Sequence, residues 1–207
     1  MEKRRRRTSH PVDLILAGDL GGTKTHLALF RERKKELIPI REQLFPSQKY
    51  QNLEEIVLEF LAEERAPVGR ACFGVAGPVI AGRGRITNLP WMVDAVALRG
   101  TFGIPSVRLL NDVEATAYGA LALTGEDLFT LHPGDPDLWG NQALIAAGTG
   151  LGEALLIWDG VRYLPLASEG GHSDFAPRNG IEIELLEYLL GQFPTVSYER
   201  VLSGPGL

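Results

Sequence analysis

Two glycine-rich turns are the segments of this sequence best suited to bind phosphate. Residues 18–23 (GDLGGT) follow the apolar run 14–17, and residues 148–152 (GTGLG) follow the run 143–147. Glycine lets the backbone approach a phosphate closely, and threonine adds a hydroxyl donor. Asp19 could hold a hydrated Mg²⁺, because this cation prefers carboxylate oxygen and water. Ordinary hairpin turns are the alternative, but two such turns after apolar strands favour phosphate binding.

Other nucleotide-binding signatures are missing from the sequence. No G-x-x-x-x-G-K-[ST] segment is present, and no G-x-G-x-x-G segment opens a helix. The two turns are therefore the remaining candidates for a nucleotide site.

Asp112 is a candidate general base. It follows Asn111 and the apolar run 107–110, which predicts a buried strand. Sheets of α/β proteins place ligands beyond the carboxyl ends of their strands, where a carboxylate can take a proton from a hydroxyl. Aspartate is also a favoured helix N-cap, and a helix is predicted from Glu114. The position alone leaves both roles open.

Glu169 and His172 are candidates for binding sugar hydroxyls. They stand three residues apart with two glycines between them. The Glu169 carboxylate can accept a hydrogen bond from a sugar hydroxyl, and the His172 ring can donate one. A metal site is a weaker alternative, because no further His or Cys lies nearby. A solvated loop is the third interpretation. Glu199, taken alone, reads as a surface charge.

The elements that must position these residues alternate between strand and helix. Strands are predicted over 14–17, 25–30, 37–45, 71–76 and 107–110, with helices over 52–64, 94–102 and 114–123. In the first helix Leu53, Ile56, Val57 and Phe60 form one apolar stripe after a plausible N-cap, Asn52. This order predicts an α/β layer with a mixed sheet.

The second half repeats the arrangement of a strand, a glycine-rich turn and a strand. A loop region over 124–142 precedes the strand 143–147. Strands 154–158 and 161–166 flank Asp159-Gly160, which suits a type I′ hairpin turn. A helix is predicted over 181–193, with Leu185, Leu186, Leu189 and Leu190 facing inward.

Composition limits the classes of function. The chain has 207 residues, of which 44% are hydrophobic and 23% charged, as in soluble globular proteins. The net charge is +4 over residues 1–10 and −9 over the rest, which gives −5. We predict a basic, disordered tail over 1–12 and an acidic body that binds neither nucleic acid nor a membrane. The single cysteine, Cys72, excludes an intramolecular disulfide and indicates a cytoplasmic protein.

Seven segments, taken together and in order, resemble the bacterial glucokinase family of the actin-like sugar kinase superfamily. They are GDLGGT (18–23), GVAGP (74–78), TNLPW (87–91), LND (110–112), GTGLG (148–152), EGGHSDFAP (169–177) and ERVLSGPGL (199–207). The resemblance implies an α/β fold of the actin-like, ribonuclease H-like kind with two domains. Residues 13–122 would form the first domain, and residues 123–207 would begin a second, incomplete one.

The resemblance also implies a role for each site residue. Asp112 would be the catalytic base of ATP-dependent glucose phosphorylation, and Asn111, Asp112, Glu169, His172 and Glu199 would bind glucose. The first phosphate loop would comprise Gly18, Asp19, Leu20, Gly21, Gly22 and Thr23, with Asp19 toward Mg²⁺. The second would comprise Gly148, Thr149, Gly150 and Gly152. Family members act as homodimers, which we expect here too.

Two departures from the family pattern keep alternatives open. Lys24 stands where many members have Asn, and the chain ends before the segment that contacts adenine in the family. The related repressor-type kinases carry a cysteine-rich zinc motif, which one cysteine cannot supply. A sugar-binding or regulatory remnant of the fold, or a kinase for another hexose or an amino sugar, is therefore an alternative function.

Overall fold

A computed structural model describes residues 14–34, 36–135 and 140–206, so the predicted basic tail over 1–12 lies outside the described residues. The chain divides into two compact units, Met1–Asp112 and Val113–Leu207. We predicted a first domain over 13–122 with the first phosphate loop and the base. A second domain over 123–207 was predicted to hold the second phosphate loop and the sugar ligands. Both assignments stay predictions. Among the described residues, no helix is long and apolar enough to cross a membrane.

The first unit is built on a five-stranded mixed sheet in the order β3-β2-β1-β4-β8. Its strands are β1 (Leu14–Leu20), β2 (Lys24–Arg33), β3 (Glu36–Pro46), β4 (Val68–Val75) and β8 (Ser106–Asn111). β1, β2 and β3 pair antiparallel, whereas β4 pairs parallel to both β1 and β8, so the sheet is mixed as predicted. Alternate side chains of β1 enter the core, so that Leu14, Leu16 and Leu20 are fully buried.

The first helix of this unit has the predicted apolar stripe and N-cap, and the second helix has an N-cap that was not predicted. In α1 (Leu53–Leu61) the buried residues are Leu53, Ile56, Val57 and Phe60. The Asn52 side chain accepts the Glu55 N–H at 3.0 Å, which confirms the predicted N-cap. α2 (Ala95–Phe102) begins after Asp94, whose carboxylate accepts the N–H groups of Val96 and Ala97.

A small antiparallel sheet in the first unit was not predicted from the sequence. It consists of β5 (Val79–Ile80), β6 (Arg83–Arg85) and β7 (Met92–Asp94). Strands of two or three residues are too short to show an alternating apolar pattern. The segment between β6 and β7 holds the buried Ile86 and Trp91 and returns the chain toward the end of β4.

The second unit contains a three-stranded antiparallel sheet in the order β11-β10-β9. Its elements are α3 (Asp112–Ala120), β9 (Gln142–Ala147), β10 (Leu151–Trp158), β11 (Tyr163–Ser168), α4 (Gly180–Leu190) and α5 (Tyr198–Leu202). Ala117, Ala154 and Leu156 form its small core. α4 has no fully buried residue, and Leu190, expected to face inward, is 50% exposed.

The hairpin around Asp159-Gly160 is confirmed, but its type I′ turn is wrong. Trp158 pairs with Tyr163, so four residues separate the strands. Only Gly160 has a positive φ, of 95°, whereas a type I′ turn needs two such residues. The Asp159 carboxylate accepts the N–H groups of Val161 and Arg162, which stabilises the longer loop.

We expect Asn52→Ala to lower the free energy of unfolding by about 1 kcal/mol, because the Glu55 N–H loses its acceptor. Urea denaturation measures the change. Gln51→Ala is the neighbouring control and should have no effect, because the Gln51 side chain makes no described contact. Equal losses in the two variants would contradict the capping role.

Asp94 should make stability depend on pH. Its ion pair with Arg83, together with the Ala97 and Val96 N–H groups, holds the pKa of this carboxyl below its usual value. The stabilisation is therefore present above the unfolded-state pKa of about 3.9 and lost as pH falls through the folded-state pKa. Asp94→Asn keeps the cap acceptor but removes the charge.

We therefore expect Asp94→Asn to be less stable than the wild type at pH 7, with a difference that shrinks as the pH falls below the unfolded-state pKa of about 3.9. Urea denaturation at a series of pH values measures this. A difference that stays constant over the whole range would contradict the role of the charge.

Candidate functional site

The carboxyl ends of three parallel strands meet at one edge of the first unit's sheet. Leu20, the last residue of β1, lies opposite Val75 of β4, and Val75 lies opposite Asn111 of β8. Adjacent strands are about 4.8 Å apart, so the three ends lie within roughly 10 Å of one another. The first predicted phosphate loop, the 76–78 turn and Asp112 all leave the sheet at this edge.

The predicted first phosphate loop, residues 18–23, divides into a strand part and a turn part. Gly18, Asp19 and Leu20 belong to β1, whereas the turn begins at Gly21, whose N–H donates to Lys24 O at 3.0 Å. A Cβ at Gly18 would lie 2.5 Å from Phe73, so this glycine is required for core packing.

Gly22 and Asp19 complete this loop. A Cβ at Gly22 would lie 2.7 Å from Thr87 O, so this glycine allows the 85–90 segment to approach the loop. The Asp19 carboxylate, by contrast, is exposed. Asp19 is therefore the residue of β1 that is accessible to a ligand.

Ser47 donates two hydrogen bonds to the predicted first phosphate loop. The sequence analysis did not identify this residue. Its N–H donates to Thr23 O at 3.0 Å, and its hydroxyl donates to Gly21 O at 2.8 Å. The Thr25 and Ser47 hydroxyl oxygens are 2.9 Å apart, and both residues are fully buried. A serine after a strand carries no motif, so its spacing gave no signal.

Asp112 is held by its neighbour Asn111. The Asn111 Nδ2 donates to Asp112 Oδ1 at 3.0 Å and to Gly77 O at 3.2 Å. Gly77 has a φ of +151°, and a side chain there would meet Arg85 O and Thr87 Oγ1. α3 begins at Asp112. The amide therefore fixes the direction of the carboxylate that the sequence analysis selected.

In the second unit, the structure brings Glu169, His172 and Glu199 together. His172 Nδ1 is 3.2 Å from Glu169 Oε2, and His172 Nε2 is 3.8 Å from Glu199 Oε1. The side chains of Glu169 and His172 are mostly exposed, whereas that of Glu199 is 28% exposed. Glu199 is thus part of a polar cluster rather than an isolated surface charge.

The predicted second phosphate loop, residues 148–152, contacts this polar cluster through Glu199. Leu151 N–H donates to Glu199 Oε2 at 3.0 Å, and a Cβ at Gly150 would lie 2.5 Å from the same oxygen. Gly148 N–H donates to Gly150 O at 2.8 Å, while Gly204 N–H donates to Gly148 O at 2.7 Å. Within this loop, the N–H groups of Thr149 and Gly150 have no acceptor among the described residues.

Gly204 is a second residue that the sequence analysis did not identify, and it contacts Gly148 of the 148–152 loop. The Ser203-Gly204 segment follows α5, and Ser203 is buried. A Cβ at Gly204 would lie 3.0 Å from Gly148 O. The small residue thus allows α5, which carries Glu199, to end against the second phosphate loop.

Comparison with known proteins gives a family. A family model described as glucokinase matches residues 16–207. The glucokinase of Trichormus variabilis is 44% identical over 201 residues, which cover 95% of this chain and 59% of that protein. The chain therefore spans about 59% of the length of this curated relative.

Solved structures agree with the fold. The crystal structure of a glucokinase from an Antarctic psychrotroph has a TM-score of 0.81 and 33% identity over 94% of this chain and 62% of that one. A ROK family glucokinase from Streptomyces griseus, in complex with glucose and AMPPNP, has a TM-score of 0.57 and 23% identity. It is matched over 93% of this chain and 58% of that one, and it supports the fold alone.

The predicted fold class, an actin-like sugar kinase fold, is confirmed by these structures, and this chain spans 62% and 58% of their lengths. The family model covers nearly all described residues, including both glycine-rich turns and the polar cluster. The chain belongs to the glucokinase family.

Proposed function

We propose that this chain supplies the catalytic base, both phosphate loops and the sugar ligands of an ATP-dependent glucose kinase, which forms glucose 6-phosphate. The observation that carries the proposal is the shared edge of β1, β4 and β8, where the first phosphate loop and Asp112 leave the sheet. Membership of the glucokinase family supports the choice of reaction and of glucose as the acceptor.

The proposed step transfers the γ-phosphoryl group of ATP to O6 of glucose. The Asp112 carboxylate accepts the O6 proton as the O6–P bond forms, and the electron pair of the breaking P–O bond stays on ADP. Asn111 holds the carboxylate in one orientation. Positioning of this kind is a large part of what a protein contributes to phosphoryl transfer.

Asp19 would hold Mg²⁺ in this proposal. No group of three or more His, Cys, Asp or Glu that could hold a metal is found in the described part of the chain. One exposed carboxylate beside a phosphate loop nevertheless fits, because Mg²⁺ takes one or two carboxylates and completes its shell with water and substrate phosphate. When bound, the ion would neutralise phosphate charge.

Glucose would be bound by Asn111, Glu169, His172 and Glu199. A carboxylate on each side of His172 leaves both ring nitrogens within reach of an acceptor. Sugar hydroxyls both donate and accept, so they can satisfy this cluster in place of water. A site built this way rejects analogues that lack one hydroxyl.

Homodimer formation and a cytoplasmic location are further parts of the proposal. The resemblance to the glucokinase family supports both, and the single cysteine agrees with a reducing compartment. Analytical ultracentrifugation tests the dimer, and fractionation of cells tests the location.

We expect Asp112→Asn to lower kcat by a factor of about 100 to 10,000, because the general base is lost. Glucose-dependent ADP release by the full-length protein measures it. The Asn side chain keeps an oxygen for the Asn111 amide, so the local geometry should be kept while the base is lost. Asp127→Asn, an exposed acid outside the site, is the control.

Undiminished turnover of Asp112→Asn would overturn the assigned base. Glucose binding by the wild type without any ADP release would favour a sugar-binding role of the same fold. A panel of hexoses and amino sugars separates glucose from the other substrates.

Glu199→Gln should weaken glucose binding by roughly 10- to 100-fold, because bonds to a charged acceptor contribute about 1.5–3 kcal/mol. Isothermal titration calorimetry measures the affinity. Glu184→Gln, an exposed position on α4, is the matched control and should bind glucose as the wild type does. Wild-type affinity in Glu199→Gln would remove Glu199 from the sugar ligands.

A further inference from the structure

Two buried hydroxyl groups, those of Thr25 and Ser47, lie beside the predicted first phosphate loop. Thr25, Ser47 and Ser203 are the fully buried polar residues in the described ranges, and the first two contact each other. A buried hydroxyl is costly unless it is hydrogen-bonded, so its partners show what it holds in place.

The hydrogen bonds of Ser47 have a fixed direction. A serine hydroxyl has one proton, and this proton is donated to Gly21 O at 2.8 Å. In the 2.9 Å contact between the two hydroxyls, Thr25 must therefore be the donor. The bonds thus run from Thr25 to Ser47 and from Ser47 to the loop carbonyl.

The hydrogen bond from Ser47 to Gly21 O determines the orientation of the peptide between Gly21 and Gly22. The C=O and N–H groups of a trans peptide point in opposite directions. Because Gly21 O points toward Ser47, the Gly22 N–H of the same peptide points away from it. Ser47 N–H also binds Thr23 O, so the loop is held at two carbonyls.

We propose that Ser47 is a positioning residue for nucleotide binding, which turns the Gly22 N–H outward toward the phosphates of ATP. The inference rests on the proposed function, because it takes residues 21–23 as a phosphate loop. Without the Ser47 hydroxyl, the peptide between Gly21 and Gly22 could rotate, and the donor would no longer be pre-oriented.

Two variants separate positioning from simple packing. Ser47→Ala and Thr25→Val both break the bond between the hydroxyls, and both should reduce stability. Only Ser47→Ala also frees Gly21 O. The difference between the variants therefore isolates the contact between Ser47 and the loop.

We expect Ser47→Ala to bind Mg·ATP about tenfold more weakly than the wild type in calorimetry on the full-length protein. Its glucose affinity should be unchanged, so that KM for ATP rises while KM for glucose does not. Amide exchange at Gly21, measured by NMR without nucleotide, should accelerate.

Thr25→Val should stay within about twofold of the wild-type affinity for Mg·ATP. If Ser47→Ala does not fold, Ser47→Cys keeps the volume with only a weak donor and should show the same pattern.

Wild-type affinity for Mg·ATP in the Ser47 variant would overturn the inference and leave the proposed function intact. Equal losses in Ser47→Ala and Thr25→Val would also overturn it, because packing alone would then explain the effect. Failure of the wild type to bind Mg·ATP would overturn the proposed function, and this inference with it.

Discussion

The lateral register of three parallel strands is the constraint on which the first unit's site depends. Leu20, Val75 and Asn111 lie side by side because β1, β4 and β8 bury matching apolar residues on the core face. A slip of one residue would turn the fully buried Leu20 toward solvent. The apolar core thereby fixes where the polar residues leave the sheet, and no polar residue has to specify that position itself.

Close approach of backbone and side chain explains the glycines better than flexibility does. Gly150 leaves room for the Glu199 carboxylate, and Gly204 leaves room for Gly148 O. Each missing side chain lets two segments that are distant in sequence contact each other. The conservative change to alanine would therefore act on the neighbouring segment rather than on the turn itself. Gly77 differs, because its positive φ adds a backbone requirement.

The sequence was informative where a periodic pattern or a local motif exists. The apolar stripe and Asn52 cap of α1, the buried strands and the hairpin around Gly160 all follow from neighbours in sequence. Ser47 was missed because its partners, Gly21 and Thr25, are distant in sequence. The two- and three-residue strands of the small sheet were missed for lack of a period. Glu199 was read as a surface charge until the family resemblance placed it, because its cluster forms only in the folded chain.

Glu199 also limits how the second phosphate loop can work. Its carboxylate occupies the Leu151 N–H, so that amide is not available to a phosphate, and it adds a negative charge beside the loop. The donors that remain for the proposed nucleotide are the N–H groups of Thr149 and Gly150. Since the other oxygen of Glu199 faces His172, one side chain contacts both a proposed sugar ligand and the predicted phosphate loop. If glucose binds as proposed and shifts Glu199, the loop must change with it, and by linkage a nucleotide that shifts the loop must change sugar affinity by the same factor.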